Sequence, residues 1–163
     1  MSIPALMNHD LDVSSCRTSS STRFTPLQFE ARVLIDEVKP LWSADITKKL
    51  GELVKLEPGW DGYRAMPVSF VNAVFAFRVL ERICGPATPA PMIVPGVGGD
   101  LQLEWHTAKG DIELHVLAPN NVRAWYTRVD DENSGGEERE LKTDFSIVAK
   151  WVQNVTEQHA GAL

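Results

Sequence analysis

Two glutamates and two histidines recur with the same spacing in two neighbouring stretches of the sequence, "LEWH" and "IELH". They are Glu104, His106, Glu113 and His115. Carboxylate and imidazole groups bind divalent metal ions, so this set predicts a metal site that a metal-assisted enzyme would use. A second interpretation is a carboxylate pair with separated pKa values, in which one carboxyl group acts as a general acid.

The apolar residues around these groups predict how the two stretches pair. If residues 107–110 form a four-residue turn, Trp105 lies opposite Ile112 and all the apolar side chains fall on one face of a hairpin. The same register places Glu104 directly opposite Glu113 on the other face. Facing carboxylates repel each other, so we expect a compensating group beside them.

A solvated, charge-balanced sheet face is the preferred interpretation of this hairpin, because charged strand faces are common. If Asn120 and Asn121 form the next two-residue turn, Arg128 lies opposite Glu113 and balances the two glutamates. A loop one residue longer or shorter would turn the side chains of the fourth strand to the opposite faces and remove Arg128 from this position.

Other patterns of catalytic residues are missing from the sequence. It contains no G-x-S-x-G, C-x-x-C or H-E-x-x-H motif. Cys16 lies in a polar stretch and Cys84 ends an apolar helical run, so the pair predicts no disulfide framework, and Cys84 is interpreted as a small buried hydrophobe. We therefore expect neither catalytic residues nor a cofactor.

The stretch "EPGWDGYRAMP" lies between two helical patterns. Trp60, Asp61, Tyr63 and Arg64 are candidate ligand- or partner-binding residues, because an aromatic side chain in a glycine-flanked loop can stack on a ligand. The alternative is a structural corner, in which Asp61 and the glycine after it form a turn and Trp60 anchors the loop on the core. The structural interpretation is preferred, since turn residues and buried aromatics often serve folding alone.

Apolar residues at helical spacing predict helices on both sides of this stretch. A first helical pattern begins at Thr25-Pro26, is broken or kinked at Pro40 and resumes from Ser43. The next pattern is apolar nearly all round, begins after Ser69 and ends at Gly85-Pro86. A helix of that composition is buried on more than one side, so we expect it to lie between the sheet and the N-terminal helices.

The pattern then changes to the period of strands. Four stretches are predicted strands, of which the first lies at an edge, and "EEREL" is a candidate fifth: "PMIVPGV", "LQLEWH", "DIELHVL" and "VRAWYTRV". A final amphipathic stripe, capped by Thr143 or Asp144, predicts a C-terminal helix.

Short links and one-sided apolar strands together predict the fold class. Hairpin-length links imply antiparallel pairing, and strands with one apolar face imply a sheet that is covered on one side. We therefore predict a two-layer α+β fold, in which helices pack on one face of an antiparallel four- to five-stranded sheet. The expected order is α-α-β-β-β-β-(β)-α.

The length of 163 residues suits one domain. Residues 1–24 are rich in Ser and Thr and predict a disordered tail, residues 25–158 a single α+β domain, and residues 159–163 a C-terminal tail. No stretch approaches the ~18 consecutive apolar residues of a membrane span, and no secretory signal begins the sequence. We expect a cytoplasmic protein that does not contact a membrane.

The formal net charge of -6 bears on the partners. It argues against direct nucleic-acid binding through a generally basic surface. An acidic surface complements a basic protein, or mimics nucleic acid in blocking a nucleic-acid-binding protein, so the expected partner is another protein. A homodimer is a further expectation, because the first helix and the edge strand near Met92 both offer surfaces.

The run "GWDGYRAMP", a helix, a Pro-rich link, "DLQLEWH" and "DIELHVL" resembles a family of small bacterial and phage proteins whose activity is not established. In that family a GWDGYGA-P-like motif precedes a helix and an LEW-type hairpin. The resemblance covers about residues 45–155 and rests on Gly59, Trp60, Asp61, Gly62, Pro67, Leu103, Glu104 and Trp105. The chain departs from it at Arg64, where the family pattern has a smaller residue. The resemblance implies a shared fold unit in a small stand-alone protein of a toxin–antitoxin or phage-conflict setting.

The leading functional prediction is a non-enzymatic, protein-binding accessory protein, such as an antitoxin, an immunity factor or a phage-defence inhibitor. The alternatives are a metal-assisted enzyme on the hairpin face and a small-ligand-binding module that uses the GWDG loop. Two structural facts separate them. One is whether the four hairpin residues converge, and the other is whether the loop exposes its aromatic side chains.

Overall fold

The structure, a computed structural model, describes residues 39–129 and 136–156. Within these ranges the chain forms three helices and five strands: α1 (Ser43–Val54), α2 (Phe70–Ile83), β1 (Met92–Pro95), β2 (Leu101–Thr107), β3 (Gly110–Ala118), β4 (Asn121–Arg128), β5 (Glu137–Leu141) and α3 (Ser146–Thr156). The helix start predicted at Thr25 and the predicted tails, 1–24 and 159–163, lie outside the described residues.

The strands form one antiparallel sheet in the order β1-β2-β3-β4-β5. Each strand pairs with its neighbour in the sequence, as short connections require. The prediction of a two-layer α+β fold is confirmed, and so are the edge position of β1 and the fifth strand.

One face of the sheet forms the core with the helices. Every second residue along the strands is fully buried there: Leu101, Leu103, Ile112, Leu114, Val116, Val122 and Ala124. The helices contribute buried apolar residues: Ile46, Leu50 and Leu53 from α1, Ala76, Val79 and Leu80 from α2, and Val148, Trp151 and Val152 from α3. Burying one such Val, Leu or Ile side chain stabilises the fold by about 1.5–3 kcal/mol.

The β2–β3 hairpin has the predicted register. Trp105 lies opposite Ile112, and Glu104 lies opposite Glu113. The link is the predicted turn at residues 107–110, where the Thr107 hydroxyl donates to the Gly110 carbonyl at 3.0 Å. Strict alternation explains the success, because slipping the register by one residue would expose the whole apolar set.

The β3–β4 register differs from the one that places Arg128 opposite Glu113. The turn is formed by Pro119 and Asn120, one residue earlier than expected, and Leu117 forms a bulge between Val116 and Ala118. Together they shift the pairing by an odd number of residues, which turns the side chains of β4 to the opposite faces.

Trp125 therefore lies opposite Glu113, while Arg128 lies opposite Gly110. The prediction that Arg128 balances the two glutamates is wrong for this reason. The turn itself is compatible with its sequence, because Asn120 adopts a φ of 60° and asparagine tolerates this left-handed conformation.

Helix α2 is tied to the sheet by Asn72, the one buried polar side chain of the described residues. Its amide nitrogen donates to the carbonyl of Gly99 at 2.9 Å and to the carbonyl of the bulged Leu117 at 3.3 Å. A buried amide without partners would cost about 1–3 kcal/mol, so these contacts fix where α2 lies on the sheet.

The described helices begin near the predicted residues, but the Ser side chains predicted as caps make no capping hydrogen bonds. Ser43 is the first residue of α1, with Trp42 as its N-cap, and the Ser69 side chain makes no capping bond although Ser69 is the N-cap of α2. Asp144 does accept a hydrogen bond from the backbone N–H of Ser146 at 2.9 Å, at the start of α3. Among the described helices, none is long and apolar enough to cross a membrane.

Candidate functional site

The sheet face that points away from the helices, called the open face below, carries every second residue of the strands. In the described part of the chain no helix packs on it. One row of side chains crosses all the strands, because Met92, Glu104, Glu113, Trp125 and Glu138 are successive partners in the register. The facing glutamates that the sequence predicted thus continue into an aromatic residue and a third carboxylate.

Carboxylates outnumber cations on the open face. Its acidic side chains are Glu104, Asp111, Glu113, Glu138 and Glu140. Its basic side chains are His106, His115 and Arg123. The face is therefore negatively charged, as the net charge of the chain led us to expect.

His106 is the group that compensates Glu104. Its Nδ1 lies 3.1 Å from Asp111 Oδ1, and its Nε2 lies 3.2 Å from Glu104 Oε2. Hydrogen bonds to Glu104 and to Asp111 raise the pKa of this imidazole above its usual value of 6.5. An imidazole that faces a carboxylate at each nitrogen suits the protonated form, whereas a metal ligand must be neutral with a free nitrogen lone pair.

His115 turns towards a different partner, Asp100, which the sequence did not single out. Its Nε2 contacts Asp100 Oδ2. Asp100 Oδ1 also accepts the backbone N–H of Gly98 at 3.0 Å. Partial burial opposes ionisation of Asp100, but the hydrogen bonds from His115 and the backbone lower the pKa of its carboxyl group below the usual range.

The four residues of the predicted metal site therefore do not converge on one point. Glu104 and His106 meet, Glu113 lies opposite Glu104, and His115 bonds elsewhere. No three His, Cys, Asp or Glu side chains within 39–129 and 136–156 come together in a way that could hold a metal ion. This arrangement favours a spread charged face over a converging catalytic site.

A small hollow of about 100 Å³ lies in the middle of the open face. Trp125, Glu113 and Glu138 line it together with Gln102, His115 and Arg123. Trp125 is 38% exposed, so one side of a large aromatic ring remains available there. The sequence does not single out Trp125, because a β3–β4 hairpin without a bulge places this residue on the core face. The bulge at Leu117 turns it to the open face.

The loop formed by residues 57–67 is held together by its own hydrogen bonds. The indole N–H of Trp60 donates to the Met66 carbonyl at 3.0 Å, and the backbone N–H of Gly59 donates to the Ala65 carbonyl at 2.7 Å. The Ala65 side chain is buried, which ties the loop to the interior. Trp60 thus has an internal partner, as expected for a structural corner.

Asp61 also serves the loop, while the two residues after Gly62 point outward. Asp61 Oδ1 accepts the backbone N–H groups of Tyr63 at 2.8 Å and Ala65 at 3.1 Å. These two bonds lower the pKa of the Asp61 carboxyl group below its usual value. Tyr63 is 87% exposed, and Arg64 is exposed beside it. The predicted binding set therefore divides into two structural and two surface residues.

Helix α2 exposes apolar side chains in its first two turns. Phe70 is 69% exposed, and Val71 and Val74 are also accessible. Phe70 and Val74 line a groove of about 490 Å³ against Leu50 and Val54 of α1. Exposed apolar surface of this kind offers a second contact area, separate from the open face.

Cys84 offers no reactive thiol. Burial raises the pKa of its thiol to about 12, so the sulfur stays protonated at neutral pH. The interpretation of Cys84 as a small hydrophobe agrees with this environment.

Comparison of the chain with models of known protein families, with curated proteins and with solved structures finds no match.

Proposed function

We propose that this protein is a non-enzymatic binding module that contacts another protein through the open face of its sheet. The observation that carries the proposal is the position of Trp125, which is 38% exposed among the carboxylates of a sheet face that no described helix covers. Interface hot spots are enriched in tryptophan and lie near the centre of the contact, within a ring of polar residues. The row Glu104–Glu113–Trp125–Glu138 has this arrangement.

The energetics of folding support a role outside the fold. Glu104 lies opposite Glu113, an arrangement that destabilises a sheet, and Glu138 adds a further carboxylate next to Trp125. His106 offsets only part of this charge. A sequence optimised for stability alone would place β-branched or oppositely charged pairs at these positions, so the charge is better explained by a partner of opposite sign.

The charge of the face sets the class of partner. A negative surface attracts a protein with a basic contact surface and accelerates its association. Together with the resemblance to small bacterial and phage proteins, this favours an antitoxin, an immunity factor or a defence inhibitor that acts in the cytoplasm. Nucleic acid is not the expected partner, because phosphates and the open face carry the same sign of charge.

Affinity purification from the source organism tests the proposal when wild-type protein is compared with two charge-reversal variants. Glu113→Lys reverses one charge on the open face, and Glu52→Lys makes the same change on the exposed side of α1. We expect a stoichiometric protein partner that wild type and Glu52→Lys retain and that Glu113→Lys loses. A partner that survives Glu113→Lys, or that both variants lose equally, would contradict binding at the open face.

The tip of the loop is a second candidate contact, favoured by the exposure of Tyr63. Tyr63 and Arg64 line a shallow depression with Val97, beside the internally bonded Asp61. Aromatic and arginine side chains are common at protein interfaces. A Tyr63→Ala variant in the same purification would show whether this tip shares the partner with the open face.

The homodimer expected from the sequence would form through edge strand β1. This strand is short, it ends at Pro95 and it exposes Met92. Proline and shortness limit strand addition at such an edge. We propose the homodimer only as a weak, concentration-dependent association, which sedimentation velocity over a range of concentrations would measure.

A further inference from the structure

The hollow beside Trp125 has the chemistry of a socket for a cationic side chain. Its volume is about 100 Å³. A depression of this size on an open sheet suits the small planar head group of a side chain. A group that enters it reaches the indole ring of Trp125 and the carboxylates of Glu113 and Glu138.

The register places these three groups side by side. Trp125 is the direct partner of Glu113 on one side and of Glu138 on the other. Directly opposite residues in a sheet have Cβ atoms about 4.5–5.5 Å apart, so both carboxylates lie within reach of a group stacked on the ring. An aromatic face flanked by two acids attracts a cation through the ring and through charge-assisted hydrogen bonds.

Two basic side chains of the chain border the hollow, His115 and Arg123, and each lies beside an acidic residue outside the Trp125 row. His115 in the hollow is bonded to Asp100, which carries the opposite charge. Arg123 also lines the hollow, but it lies one row away from Trp125 in the register, opposite His115 on one side and Glu140 on the other. The Trp125 row itself contains carboxylates and no cation, since its remaining members are Met92, Glu104, Glu113 and Glu138.

We propose that the open face binds an arginine side chain of the partner protein, with its guanidinium stacked on Trp125 between Glu113 and Glu138. Arginine fits better than lysine, because a planar guanidinium stacks on an indole and donates to carboxylates on two sides. The socket is shallow and lies on an open sheet, so the arginine must be presented by a macromolecule that also covers the surrounding face. This inference rests on the proposed function and names the chemistry of the partner at that same face.

Titration with model peptides tests the socket. Isothermal titration at about 0.15 M salt, where unspecific charge attraction is screened, would compare acetylated octa-arginine, octa-lysine and octa-glutamate peptides. We expect octa-arginine to bind more tightly than octa-lysine and octa-glutamate not to bind. Trp125→Ala should weaken octa-arginine binding about tenfold, and Trp125→Phe should restore most of it.

Two glutamates of β5 provide a matched pair for the same titration. Glu138→Gln removes a carboxylate next to Trp125, whereas Glu140→Gln removes the same charge from the same strand but faces Arg123. We expect Glu138→Gln to weaken octa-arginine binding several-fold more than Glu140→Gln. Circular dichroism would confirm folding, and if Trp125→Ala does not fold, the two glutamate variants carry the test.

Three results would overturn the socket: no octa-arginine binding, equal affinity for octa-arginine and octa-lysine, or equal losses in Glu138→Gln and Glu140→Gln. The last result would show attraction by overall charge alone. A partner that Glu113→Lys abolishes but octa-arginine does not displace would leave the proposed function standing and overturn only the arginine socket.

Discussion

Trp60 and Trp125 both reach the surface of the molecule, but they differ in what surrounds them. Trp60 lies in a loop whose own backbone accepts its indole N–H, and the neighbouring Asp61 is occupied by two backbone donors. Trp125 lies on a sheet face among carboxylates, and part of its ring stays in solvent.

This difference separates a surface tryptophan that stabilises the fold from one that is available to bind a partner. A tryptophan whose polar atom and neighbours are satisfied within one loop stabilises that loop. A tryptophan surrounded by charges that repel one another gains most from a partner, because the partner neutralises them.

Replacing each tryptophan by alanine gives the largest expected contrast. Trp60→Ala removes partial burial and one hydrogen bond, so we expect a loss of about 2 kcal/mol in the free energy of unfolding. Trp125→Ala should cost less, about 1 kcal/mol, because the Trp125 side chain is 38% exposed and loses only its partial burial. Urea denaturation followed by circular dichroism measures both. Equal losses would show that Trp125 also serves the fold.

A glycine pair tests whether the loop around Trp60 is a rigid corner. Gly62 has a φ of +85° with no atom within 4 Å of an added Cβ, so Gly62→Ala should cost about 1 kcal/mol through backbone strain alone. Gly51 lies inside α1 with the same free space, and Gly51→Ala should stabilise by up to about 1 kcal/mol. Thermal or urea unfolding would measure both changes. A neutral Gly62→Ala would indicate a loop that adapts rather than a fixed corner.

Acidification should affect the Trp60 loop through Asp61. Its folded-state pKa lies below the usual 3.8, so the stability that it contributes is present above about pH 4 and is lost as pH falls through the lowered value. The difference in urea midpoint between wild type and Asp61→Asn should therefore shrink in acid. Glu52→Gln, which removes an exposed carboxylate from α1, serves as the control. A constant difference down to pH 2 would contradict the role of the Asp61 charge.

The smallest expected effect concerns His106 on the open face. Its folded-state pKa is raised above 6.5, so its contribution to stability is complete below pH 6.5 and is lost as pH rises through the raised value. NMR titration of the imidazole should give a pKa above 6.5 in wild type and a lower one in Glu104→Gln. If Glu104→Gln leaves the pKa unchanged, the 3.2 Å contact does not persist in solution.

The fold and half of the candidate site follow from the sequence. Strict alternation fixed the pairing of Glu104 with Glu113, because any slip exposes Leu103 and Leu114. Alternation cannot locate a bulge, however, since the apolar residues of β4 tolerate either face when considered alone. The register that places Arg128 opposite Glu113 therefore implies the wrong side of the sheet for Trp125. Asp100, the partner of His115, was missed because loop residues carry no periodic signal.

The bulge at Leu117 has a genetic consequence. Its carbonyl accepts a hydrogen bond from Asn72, which belongs to the helix layer on the far side of the sheet. The bulge decides which side chains of β4 lie on the open face, Trp125 among them. The exposure of Trp125 there therefore depends on Asn72, a residue that no partner on the open face can touch. A mutational scan that reads only partner binding would score Asn72 among the contact residues, whereas a deletion of Leu117 would remove the extra residue and leave Trp125 opposite Glu113.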